Sequence, residues 1–89
     1  MIQYLKGVVI MENCVAVIAI IVSDTSAVDR VNGLLTAFRD NIVGRMGIPH
    51  KNGHNIISIA MEAPKEVINS LSGKLGMISG VTSKVVVAK

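Results

Sequence analysis

Tryptophan is absent from these 89 residues, and Tyr4 and Phe38 are the only aromatic side chains. Any core must therefore be packed from Val, Ile, Leu, Met and Ala, and the strands expected over Cys14 to Ser23 and Asn55 to Glu62 offer none of the rings on which RNA-binding sheets stack bases. Cysteine is nearly absent as well. Cys14 stands alone, so no internal disulfide can staple the chain, which fits a reducing compartment and makes the cytoplasm the expected location. Its place at the border of an apolar strand points to a buried thiol and not to a nucleophile. Long hydrophobic runs are missing: Val15 to Val22 is too short to span a bilayer, and Glu12 and Asn13 block its extension. The run ends in Ser23 and Asp24 with no small-residue cleavage pattern, so neither a membrane partner nor a signal peptide is expected. Runs of one charge are also missing. The net charge is +3 and the pI near 9.4, but the nine basic residues are scattered. With no helix-turn-helix or zinc pattern, direct nucleic-acid binding by this chain alone is not expected.

What the chain does contain is aliphatic. Hydrophobic residues make up 51% of it and the mean hydropathy is +0.57, in a single small domain that buries roughly 60% of its unfolded surface on folding. Such a chain tends to hide the remaining apolar surface in an oligomer.

The last third is the most legible. Pro64 suits the first turn of a helix, Glu66 suits its positive end, and Val67, Ile68, Leu71 and Leu75 share one face. Gly76 is expected to end that helix in a left-handed conformation, Gly80 to permit a turn, and Val81 to Val87 to form a strand. An earlier stretch has the same order. Cys14 to Ser23 reads as a β-branched strand, and Asp24, Thr25 and Ser26 as a polar corner, with Ser26 three residues before Asp29 in a capping-box-like spacing. Val28, Val31, Leu35, Phe38 and Ile42 then form a helical stripe, widened by Leu34. Strands over about Ile42 to Ile48 and Asn55 to Glu62 flank Pro49 and the Asn52-Gly53 turn. The order strand, helix, strand, strand, helix, strand predicts an α+β, ferredoxin-like βαββαβ sandwich with both helices on one face of an antiparallel sheet. Residues 1–13 are an N-terminal tail or an extra edge strand, with Met11 an alternative start, and residues 14–89 are the domain.

The strands fail to alternate between apolar and polar. The first places Val15, Val17, Ala19 and Ile21 on one face and Ala16, Ile18, Ile20 and Val22 on the other, whereas an isolated sheet with helices on one side should show one polar face. A homo-oligomer, dimer or tetramer, in which a second copy covers the open face or extends the sheet, is therefore expected.

Chemistry is sparse, and no catalytic residue, metal or cofactor is expected. His50 and His54 lie four apart on the hairpin without a third ligand at fixed spacing. Ser72-Gly73-Lys74-Leu75-Gly76 has the composition of a phosphate loop but falls at the end of a helix, where the dipole disfavours anions. The candidate ligand-binding residues are Asp24, Thr25 and Ser26, because a strand-to-helix corner sets backbone N–H groups, a carboxylate and two hydroxyls beside an apolar sheet edge.

The segment Leu71 to Val81, Leu-Ser-Gly-Lys-Leu-Gly-Met-Ile-Ser-Gly-Val, followed by Lys84, resembles the closing signature of the iron-only hydrogenase system regulator family. The similarity extends through Val31 to Leu35 and Arg45 to Pro49 back to about Val15. It implies an ACT-like ferredoxin fold, similar to the C-terminal regulatory domain of the nickel-responsive repressor, and a regulatory, oligomeric, non-catalytic protein. Two departures stand beside it. ACT domains that bind amino acids follow their Asp closely with Pro-Gly, where this chain has Thr25-Ser26-Ala27 after Asp24. The strands also hold no histidine and cysteine set like that of the nickel repressor. The reading is a regulator, transcriptional or metabolic, with a small-molecule effector at a subunit interface; the alternatives are an adaptor for a partner protein and a metal-responsive regulator.

Overall fold

The computed structural model describes residues 2–5 and 8–88, with side-chain surroundings for 12–49 and 52–88. The elements are β1 (Ile2–Leu5), β2 (Val8–Met11), β3 (Asn13–Val22), a 3-10 turn (Thr25–Ala27), α1 (Val28–Ala37), a second 3-10 turn (Arg39–Asn41), β4 (Ile42–Lys51), β5 (His54–Pro64), α2 (Lys65–Gly76) and β6 (Val81–Ala88). From β3 onward this is the βαββαβ order. Four antiparallel strands lie in the order β4-β5-β3-β6, the ferredoxin-like arrangement. Strands β1 and β2 pair with each other, Ile2 opposite Met11, in a separate two-stranded sheet and add no edge to the main one.

The central strand β3 shows why the sequence chooses this layering. Its burial alternates without a break: Cys14, Ala16, Ile18, Ile20 and Val22 are buried and the residues between them exposed. Ile18 lies between Ile59 of β5 and Val85 of β6, and Val31, Leu35, Ile68, Leu71 and Leu75 of the helices complete the core. β-branched side chains suit this pleated surface, while leucines, branched only at Cγ, supply three of those five helix positions. The other face of the sheet, Val15, Val17, Ala19 and Ile21 with their register partners, has no cover among the described residues.

Several boundaries differ from expectation for local reasons. Gly76 is not left-handed; among the described residues the glycines with positive φ are Gly53 and Gly80. The last turn of α2 tightens instead, Met77 N donating to Lys74 O (3.3 Å) and Ile78 N to Leu75 O (3.2 Å), so the chain reverses only at Gly80. The capping role expected of Ser26 falls to Asp24, which caps the 3-10 turn, while α1 starts without a side-chain cap. Ile42 opens β4 and does not extend the helical stripe, because α1 closes at Phe38 and a second 3-10 turn intervenes. At the hairpin both Asn52 (φ 52°) and Gly53 (φ 78°) are left-handed, the pattern of a two-residue type I′ turn.

One irregularity sets the side on which Arg45 lies. Ile42 pairs with Met61 but Gly44 pairs with Ala60, so Val43 is an extra residue in β4, a β-bulge. The bulge inverts the facing of everything after it. Without it Gly44, Met46 and Ile48 would share the helix side with Ile42; with it Arg45 and Gly47 lie there, exposed but opposite buried Ile59 and Ile57, and Met46 and Ile48 lie on the other face.

Candidate functional site

The corner at Asp24, Thr25 and Ser26 is exposed and built mainly to turn the chain. Ser26 donates twice to one carboxylate oxygen of Asp24, from its backbone N (3.0 Å) and its Oγ (2.8 Å). These two bonds, the hydroxyl's the larger effect, hold the Asp24 carboxyl below its ordinary range. Beneath the corner, Ser23 N donates to Gly80 O (2.7 Å), and Gly80, with φ of 80°, lies so close that a Cβ built on it falls 2.6 Å from that of Asp24. Asp24 and Ser26 thus satisfy each other, and the corner is locked onto the turn before β6.

The histidines are separate from it. His54 shares a 2.9 Å hydrogen bond between Nδ1 and Asn52 O, and the side chain of His50 lies outside the described residues. Among the described residues no three His, Cys, Asp or Glu side chains are placed to hold a metal. Lys74, expected to complement the end of α2, does lie in its last turn, and its Nζ sits 5.6 Å from the centroid of the Phe38 ring.

A second arrangement was not visible in the sequence. Between α1 and the edge strand β4 runs a cleft of two compartments. One, of about 230 Å³, lies between Val28 and Asn32 of α1 and Gly47, Pro49 and Ile57 of the sheet. The other, of about 200 Å³, is lined by Leu35, Thr36, Arg39 and Ile42. Arg45 lines both. Its Nη2 donates to Oδ1 of Asn32 across the cleft at 2.6 Å, thirteen residues away in sequence. No local pattern signals this pair, because the bulge that turns Arg45 toward the helix is defined only by strand register.

Relatives share this framework. The profile of the TM1266-like family, the iron-only hydrogenase system regulators, matches residues 14–85. The structure of the uncharacterized protein TM1266 from Thermotoga maritima superposes with a TM-score of 0.82 at 36% identity, over 88% of this chain and 100% of that one. No curated protein sequence matches the chain. The matched span begins one residue into β3 and takes in the corner, the cleft and the turn at Gly80, leaving the β1–β2 hairpin outside. With 72 residues aligned to one family profile and a relative sharing its fold over most of its length, the chain belongs to the TM1266-like family of iron-only hydrogenase system regulators.

Proposed function

We propose that the protein is a small, non-catalytic regulator of transcription or metabolism. In this reading it self-associates through the open face of its sheet and takes up a small-molecule effector where the Asp24–Ser26 corner meets a neighbouring subunit. The observation that carries it is the open face. Val15 and Val86 are 55% and 71% exposed, and with Val17, Ile21, Met46, Ile48 and Ile56 they form an apolar surface crossing all four strands. Exposed apolar surface on this scale is characteristic of interaction sites.

A second copy of the chain offers a surface of matching size and apolarity, with Glu62 and Lys84 on the same face to set its orientation. The family name points to iron-only hydrogenase systems as the setting of the regulation.

Size-exclusion chromatography with light scattering at micromolar concentration tests the proposal. The expected mass is that of a dimer or tetramer, and Val17→Lys, at the centre of the face, is expected to give a monomer with unchanged circular dichroism. A monomeric parent protein would remove self-association and favour the adaptor reading, in which the same face is given to a different protein. Amide shifts confined to the hairpin of His50 and His54 on adding nickel would favour a metal-responsive regulator.

A further inference from the structure

The cleft between α1 and β4 has the features of a binding site, although the chain could have avoided making it. A bulge at Val43 is required to put Arg45 on the helix side of β4, where its register partner is the fully buried Ile59. Bulges commonly re-aim a side chain in this way next to sites. The guanidinium has five N–H donors in a planar fork, and the one bond to the neutral Asn32 amide leaves both the charge and most of the donors available. Arg39 lines the same compartment from the second 3-10 turn, as does Thr36 from α1. Among the described residues no Asp or Glu lines either compartment.

We infer that this cleft binds a small organic carboxylate with an apolar body, the carboxylate held by Arg45 and Arg39 and the body lying against the aliphatic walls. The charge follows from two arginines and no acid. The planar, bidentate match between guanidinium and carboxylate favours that head group. The body follows from the aliphatic part of the lining on the helix side, which is Val28, Pro49 and Ile57, next to the polar Asn55, on one side of Arg45 and Leu35 and Ile42 on the other. The volume sets the scale: compartments of about 230 and 200 Å³ have room for a single ring or a short chain. Unlike the proposed effector at the Asp24 corner, this site is complete within one chain and opposite in charge. It stands whether or not the subunits associate.

The test is a titration of the full, isotope-labelled chain with sodium benzoate at constant ionic strength, followed by amide and arginine side-chain NMR. Saturable shifts are expected at Asn32, Thr36, Arg39, Arg45 and Gly47. Benzamide, the same shape without the charge, and inorganic phosphate, the charge without the ring, are expected to bind at least about tenfold more weakly. Arg45→Gln should abolish the shifts. Asn32→Asp should do the same while preserving the fold, because it supplies Arg45 with an internal carboxylate that competes with the ligand. The inference is overturned by the absence of saturable shifts, by benzamide or phosphate binding as well as benzoate, by shifts centred on residues 24–29 instead, or by full binding in a folded Asn32→Asp variant.

Discussion

Among the glycines of the described residues, replacing Gly80 by alanine should destabilise the domain most. Two effects combine there. The residue has φ of 80°, where a Cβ costs about 1–2 kcal/mol, and that Cβ would lie 2.6 Å from the Cβ of Asp24. Carbon atoms pack at about 3.5–4.0 Å, so the corner or the turn must move by roughly an ångström. Neither is free to do so, because Ser23 N and Gly80 O are joined by a 2.7 Å hydrogen bond and the next residue enters β6. Overpacking of this kind costs about 1–3 kcal/mol, giving a total of at least about 2 kcal/mol. For a domain of this size that lowers Tm by about 8 °C or more. Urea and thermal unfolding, both at one fixed protein concentration, measure it. Gly53→Ala separates the two effects, since Gly53 has a similar φ of 78° but nothing within 4 Å of an added Cβ; it should show the strain alone. In an Asp24→Gly background the extra penalty of Gly80→Ala should vanish. A loss below about 0.5 kcal/mol for Gly80→Ala, or a loss equal to that of Gly53→Ala, would refute the contact on which the locked corner rests.

Gly33 is the opposite case: it is exposed in the middle of α1 with nothing within 4 Å of an added Cβ, so Gly33→Ala should stabilise by up to about 1 kcal/mol in the same urea assay. Leu71→Ala empties a fully buried position between α2 and the sheet and should cost about 2–5 kcal/mol by chemical denaturation. Asp24 has a carboxyl held below the ordinary value of 3.8 by its bonds from Ser26, so its ionised form favours the folded state at neutral pH. That contribution should be lost as pH falls below 3.8 through the depressed value, and Ser26→Ala, which removes the larger of the two bonds, should move the Asp24 carboxyl resonance titration toward higher pH.

Much of the fold could be read from residue order because each signal was local. The β-branched run of β3, the Asn52-Gly53 turn and the apolar stripe of α2 act within a few residues, and each appears in the structure near its expected bounds. Where two local signals competed, the reading went astray. Gly76 and Gly80 are equally able to adopt positive φ, and hydrogen bonds tightening the last turn of α2 decide for Gly80. Asp24 and Ser26 are equally good caps, and the short 3-10 turn before α1 selects Asp24. The cleft was illegible for a different reason. Its existence depends on one extra residue in the register of β4 against β5 and on a hydrogen bond between Asn32 and Arg45, and neither leaves a trace in periodicity. The corner at Asp24 to Ser26 was legible as a polar turn. Its mutual hydrogen bonds were not, because the same residue types equally suit a ligand.

The central claim is that the open face of the sheet is covered by a second copy of the chain in solution. Solvent accessibility of individual methyl groups to a soluble paramagnetic agent tests it most directly, with Met77, 87% exposed at the end of α2 and outside that face, as the internal reference. The account expects the methyls of Val17, Ile21 and Ile56 to keep their signal while that of Met77 is lost, and to lose it in the Val17→Lys variant at Ile21 and Ile56. Attenuation of Val17, Ile21 and Ile56 in the parent protein in proportion to their exposure in the single chain would contradict it.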